Sequence, residues 1–157
     1  MTPTQIRVGE AQDAARIAAL VNAAFRPERS FSDADRTNID KVSALLETGR
    51  FFLIFEDEAL AGCVYAEVRG ERGYFGLLAV DPTRQRAGLG GRLIDEAEKH
   101  CRAAGCRFMD LTFVNAREKL PGYYRRFGYK ENGTLPFPTD QAKPKFPVHL
   151  VRMSKEL

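Results

Sequence analysis

Three glycines close a stretch that starts as an apolar strand and ends as a helix. Leu78-Ala79-Val80 leads into Asp81-Pro82-Thr83-Arg84-Gln85-Arg86-Ala87, and then into Gly88-Leu89-Gly90-Gly91-Arg92-Leu93. A glycine-rich turn at a helix start offers main-chain N–H groups and a positive helix end, which together suit an anion. Gly88 and Gly90 carry no side chain, so a diphosphate can approach the backbone closely, and Gly91 lies in the same run. Arg84, Arg86 and Arg92 would reach further phosphate oxygens. Taken alone, the same residues also fit a flexible turn that merely caps a helix. Two nucleotide motifs are excluded by context. No Gly-Lys-Ser/Thr ending follows the glycines, and they come late in the chain rather than after an early strand with Gly-x-Gly-x-x-Gly spacing.

Cys63, Cys101 and Cys106 are odd in number and lack metal-ligand spacing, so they read as buried reduced thiols of a cytosolic protein. His100 adjoins Cys101, but adjacent helical residues do not face each other, which argues against a Cys–His nucleophile. At 157 residues, with 44% apolar and 29% charged content, the chain suits one soluble domain over 1–157. A net charge of +3 is too small to argue for nucleic acid. No run approaches the roughly 20 apolar residues of a membrane span, and the first residues do not form a secretory signal.

The elements that position these residues follow from periodicity. Residues 6–8 form a short strand. A helix over 14–25, capped by Asp13, turns Ile17, Leu20, Val21 and Ala24 to one side, and Pro27 ends it. Ser32 or Asp33 caps a second helix that runs to about residue 47, with Ile39, Val42, Leu45 and Leu46 on its apolar face. Strands at 51–55, 63–68 and 74–80, joined by short turns, predict an antiparallel meander. The helix after the glycines presents Leu89, Leu93, Ile94, Ala97 and Cys101 on one face and ends at Gly105. A strand over 108–114 follows through that helix, so parallel pairing and a mixed sheet are expected. Pro121 opens a short helix that stops at Gly128. Residues 132–147 read as a long loop, and the alternation over 146–153 as a closing strand.

With these elements in place the chain resembles the GNAT superfamily of acyl-CoA-dependent N-acyltransferases. Gln85-Arg86-Ala87-Gly88-Leu89-Gly90 matches that family's Gln/Arg-x-x-Gly-x-Gly/Ala signature. Tyr124-Arg125-Arg126-Phe127-Gly128-Tyr129 is similar to its later Tyr-x-x-x-Gly-Phe motif, and Asn115 ends the preceding strand. The order of elements agrees over most of the chain, least so in the first fifty residues. The resemblance implies a mixed α/β fold: a mostly antiparallel sheet of about seven strands, flanked by four helices and splayed between strands 4 and 5. It implies that acetyl-CoA binds through residues 86–91 and Gln85, with its pantetheine arm along the strand edge at Leu78, Ala79 and Val80, without a metal. The Val80 N–H would polarise the thioester carbonyl.

Tyr124 stands where many members use a tyrosine acid. A phenol, with a pKa near 10, holds its proton at neutral pH and can protonate a departing thiolate. The other reading of Tyr124 is an amphipathic core residue. Tyr123 points to another face and is structural. Asn115 either orients water or coenzyme, or caps the next turn. Where some members carry a strand-four glutamate this chain has Tyr74, so Glu67 or Glu71 acts as base through water or is a surface carboxylate. The resemblance also implies an acceptor region at residues 25–36, 67–74 and 135–146, which include Phe25, Arg26, Arg29, Arg36, Glu67, Arg69 and Tyr74. Its arginines would clamp a carboxylate or else stay solvated. Phe137 and Phe146 line an apolar pocket or pin the loop. The expected function is cytoplasmic transfer of an acetyl group to a small-molecule primary amine, with a homodimer plausible on the family's pattern. The alternatives are acetylation of a protein lysine or N-terminus, and a non-catalytic acyl-CoA-binding module.

Overall fold

A computed structural model describes residues 3–85, 88–138 and 143–157. Arg86 and Ala87 of the glycine loop lie outside the described residues. Strand β1 (Thr4–Val8) leads to helix α1 (Ala14–Ala24), a 3-10 segment over Arg26–Ser30, and helix α2 (Ile39–Thr48). Strands β2 (Arg50–Glu56), β3 (Ala59–Arg69) and β4 (Arg72–Val80) form the meander. Helix α3 (Leu89–Ala103), strand β5 (Phe108–Val114), helix α4 (Leu120–Arg125) and strands β6 (Lys130–Pro136) and β7 (His149–Glu156) complete the order.

The strands make one sheet, ordered β1-β2-β3-β4-β5-β7-β6. Only β4 and β5 are parallel neighbours, because α3 carries the chain back across the sheet between them. The predicted face of α3 is buried: Leu89, Leu93, Ile94, Ala97 and Cys101 join Phe52, Phe75, Met109 and Tyr129 on one side of the sheet. Ile17, Leu20 and Val21 of α1 and Val42 of α2 cover the other side, against Phe51, Leu53 and Tyr65.

Five details differ from the sequence reading. Helix α2 begins at Ile39 rather than near Ser32, because Asn38 takes the capping role: its side chain accepts from the Lys41 N–H at 2.9 Å. Proline 27 does not end the helical path outright; it sits in the first turn of the 3-10 segment, where its missing N–H costs nothing. Ile39, placed on the apolar face by periodicity, is the first residue of α2 and is exposed. Asp13 does not cap through the helix amides. It is fully buried and accepts from the Glu10 N–H at 2.8 Å, while Arg7 holds it with two bonds of 2.9 Å and Arg16 adds a second ion pair. Finally, the expected loop over 132–147 starts with a strand. β6 pairs antiparallel with β7 at the sheet edge, and all seven of its residues are exposed.

Candidate active site

The sheet opens where β4 bends. Leu77 has φ 50°, in the left-handed region, and the β3–β4 register slips there, so Leu77 and Leu78 stand opposite Val64 alone. Such a bulge sharpens the twist of its strand. Beside it, β4 and β5 pair only at Arg72↔Phe108, Gly73↔Met109 and Tyr74↔Asp110. Beyond Tyr74 the two strands part, which is the splay between strands 4 and 5.

Strand alternation then sets which amides face the gap. The Asp81 N–H donates to the Ala61 carbonyl at 2.8 Å, and Ala79 pairs with Cys63, so residues 79 and 81 turn their main chain toward β3. Val80, opposite Gly62 between them, turns its N–H and C=O away from β3, into the gap. Leu78 and Val80 line a cavity of about 910 Å³ that fills the gap, whereas Ala79 is buried against the α1 side. Gln85 lines the same cavity and donates from Nε2 to the Val80 carbonyl at 3.4 Å.

The N-terminus of α3 forms the floor of that cavity. Gly88 caps the helix with φ 70°, a conformation that favours glycine, and a Cβ on it would meet nothing within 4 Å. The backbone there is open to a ligand. Gly90 and Gly91 have a second reason to be small. A Cβ on Gly90 would run into the Tyr123 hydroxyl, and one on Gly91 would lie 3.0 Å from the Phe127 ring. Leu89 faces the other way and anchors the loop in the core, 2% exposed. Of the arginines expected to reach phosphate, Arg84 pairs with Glu56 at 3.0 Å and Arg92 bonds the Thr4 hydroxyl.

Tyr124 lies on α4, 8% exposed, with its ring packed on Phe75, Phe113 and Tyr129 and its side chain bordering the cavity. Burial holds its hydroxyl firmly in the protonated form, as does the neighbouring Tyr123, while the charge of Arg117 opposes both. Tyr123 does not point elsewhere: it lines the same cavity, and its ring stacks edge-on against Tyr124 at 5.3 Å. Asn115 is exposed at the end of β5 and outside the cavity lining. It exchanges bonds of 2.9 Å with both main-chain groups of His149, which clips β7 to β5.

The acceptor-side residues divide. Phe25 and Tyr74 line the large cavity. Arg26 and Arg29 border a separate hollow of about 550 Å³ with Asp35, to which Arg29 is paired. Glu67 sits beside Tyr74 across the β3–β4 ladder but is held by Arg69 and by the Tyr65 hydroxyl at 2.8 Å. These bonds outweigh burial and keep its carboxyl below the usual range. Glu71 lies at the hairpin between β3 and β4, away from the cavity. Phe137 lines the cavity, while Phe146 packs edge-on against buried Phe31 at 6.4 Å. The Lys145 N–H donates to the Phe31 carbonyl at 2.6 Å, and its ammonium pairs with Asp33 at 3.1 Å, so the late segment is pinned to the early one.

Sequence reasoning missed Arg117 and did not single out Glu28 within the expected region 25–36. Both line the cavity, and they meet at 3.4 Å although 89 positions separate them. No local spacing links a 3-10 segment to the loop before α4; only the closed sheet does. Among the described residues no group of three His, Cys, Asp or Glu side chains is placed to hold a metal, and no helix is long and apolar enough to cross a membrane.

The fold as a whole is shared with solved acetyltransferases. An N-acetyltransferase from Staphylococcus aureus Mu50 superposes with a TM-score of 0.77 at 18% identity, over 99% of each chain. The ribosomal-protein-alanine N-acetyltransferase of Brucella melitensis gives 0.78 at 16% identity, over 98% of this chain and 99% of that one. The yncA protein of Salmonella typhimurium, solved with its cofactor acetyl-CoA, gives 0.75 at 17% identity, over 98% and 94%. At the level of sequence, the chain belongs to the acetyltransferase (GNAT) family, whose model matches residues 14–129. A mycothiol acetyltransferase from Thermobifida fusca (strain YX) is 43% identical over 63 residues, a match that spans 38% of this chain and 20% of that protein. Family membership supports acyltransferase activity and use of an acyl-CoA.

Proposed function

We propose that the protein is an acetyl-CoA-dependent N-acetyltransferase that acts by direct transfer to the primary amine of a small molecule. One observation carries this reading: a single cavity joins the outward Val80 amide, the bare N-terminus of α3 and the Tyr124 side chain. The residues present suit the coenzyme. Gly88, open on the side where a Cβ would stand, and the first-turn amides that follow it would hold the diphosphate. The free edge of β4 at Leu78 and Val80 would pair with the pantetheine amides as a strand does. When bound, the coenzyme supplies an acetyl group activated as a thioester.

This chain's own groups then divide the work. The Val80 N–H, turned into the gap, would donate a hydrogen bond to the thioester carbonyl oxygen as negative charge develops there. The Tyr124 hydroxyl, kept protonated by burial, would give its proton to the sulfur that leaves, while the proton lost by the attacking amine passes to solvent and Tyr124 is reprotonated from it. Tyr123 and Phe127 close the cavity over α3 and limit water. Asn115 acts on the site only through the strand it clips in place.

The test is incubation with acetyl-CoA and a panel of amines, with free thiol as the readout. Tyr124→Phe should leave coenzyme affinity unchanged and lower turnover about a hundredfold, the usual loss for a general acid. Thiol release equal to that of the wild type would remove Tyr124 from the proton's path. No amine-dependent release from any acceptor would overturn the proposed reaction.

A further inference from the structure

The large cavity also carries an arrangement that neither the coenzyme nor the acid accounts for. Arg36 and Arg117 both border it, and both rest against one ring, with their guanidinium carbons 5.5 and 5.7 Å from the centre of Phe25. Between them lies Glu28. Arg36 reaches its Oε1 at 3.8 Å and Arg117 its Oε2 at 3.4 Å. We propose that Arg36 and Arg117 form a carboxylate clamp, and that the acceptor is an amino-acid-like molecule whose amine and carboxylate lie a few bonds apart. This inference rests on the amine-acylating reading above.

Three observations support it. First, the arginines are far from saturated. Where this chain builds a firm pair, as Arg72 does with Asp110, two bonds of 2.7 Å form side by side. Glu28 receives only long, single-ended contacts. Among the described residues Arg117 gives it one hydrogen bond and Arg36 none. A guanidinium carries five N–H donors, so most remain available to a second anion. Second, the charges do not balance, since two cations face one carboxylate at a partly buried site. The side chains of Arg117 and Glu28 are 19% and 17% exposed, and burial raises the Glu28 pKa against the pull of both arginines. Each step of Glu28 toward its neutral form leaves the clamp more positive. Third, the clamp is close to the chemistry. Arg117 and Tyr124 line the same cavity, so an anion on Arg117 shares the space in which the phenol sits. Resting both guanidiniums on Phe25 holds them in place before any ligand arrives, which reduces the ordering cost of binding.

The experiment compares matched acceptors at saturating acetyl-CoA: free amino acids, their carboxamides, the corresponding amines without the acid group, and short peptides with an acidic residue near the N-terminus. For at least one amino acid scaffold, kcat/KM for the acid should exceed that for the carboxamide by about a hundredfold, as for two charge-assisted contacts. Arg36→Gln and Arg117→Gln should each cut that ratio by about tenfold, chiefly through KM, with acetyl-CoA affinity unchanged. Titration of the N-acetyl amino acid product into coenzyme-bound protein gives a readout that needs no turnover, and the same two variants should weaken it. Equal rates for acid and carboxamide, or turnover of acidic peptides but not of free amino acids, would overturn the clamp while leaving the transfer reaction intact. If no amine is acylated at all, the transfer reading fails by itself. Product binding that ignores both arginines would then refute the clamp separately. Should Arg117→Gln fail to fold, Arg36→Gln alone decides the ratio.

Discussion

A methyl group at Gly90 would strike the Tyr123 hydroxyl, while the next nearest atom, the ring carbon that bears it, stands at an ordinary 3.7 Å. Gly90→Ala should therefore cost at most about 1–2 kcal/mol net, because the clashing atom is the free end of a side chain that can shift and alanine itself gains up to about 1 kcal/mol in a helix. The double variant Gly90→Ala/Tyr123→Phe should recover that loss. It should also gain up to about 1 kcal/mol from replacing a helical glycine. Denaturant midpoints of the wild type, both single variants and the double variant complete the cycle, and additive losses would refute the contact. The two motif glycines thus do different work. Gly88 supplies a left-handed cap that opens onto the cavity, and Gly90 makes room for an aromatic ring. The Gly-x-Gly spacing in the sequence does not distinguish these roles, because Tyr123 comes from a helix more than thirty positions later.

Among the elements, β4 carries the sharpest expectation. The Asp81 amide is bonded to Ala61, while the Val80 amide faces the gap. Hydrogen exchange should find Val80 fast and Asp81 slow in the free protein, and acetyl-CoA should slow Val80 selectively. An already protected Val80 amide would mean the sheet is closed there. Strongly periodic elements were legible in advance: the buried face of α3 and the strand at 108–114 appear as read, and so do the three strands of the meander, each a little longer. The misses have physical causes. β6 has no apolar alternation because all its residues are exposed, so only its pairing with β7 defines it. The bulge is set by a leucine, not a glycine, in a positive-φ conformation, and no residue type announces it. The family resemblance placed Arg26 and Arg29 in the acceptor region, whereas the fold turns them to a neighbouring hollow and lines the large cavity with Glu28 and Arg117.

Over the whole molecule, pH acts through carboxylates scattered across the fold. Arg7 pulls Asp13 well below the ordinary carboxylate range despite burial, and the Thr83 N–H and hydroxyl lower Asp81. Against the cost of burial, Arg69 lowers Glu67, and Arg72 with Ser154 lowers Asp110. A group whose pKa is depressed on folding stabilises fully above its unfolded value, near 4, and loses that contribution as pH falls through its folded value. Glu28, raised by burial, has the opposite sign and is relieved as it protonates. Four against one, the melting temperature should fall steeply below about pH 4, with Asp13→Asn flattening part of the slope. A Tm independent of pH from 7 to 3 would contradict these assignments.

The pinning of Lys145 to Phe31 and Asp33 bears on how such a molecule can diversify. Two surface stretches, far apart in the chain, are fastened to each other beside the acceptor end, and neither contributes to the bulge or to the capped helix. On the proposed reading, exchange of the exposed residues around that fastening would change which nucleophile is admitted and leave the bulge and the capped helix unaltered.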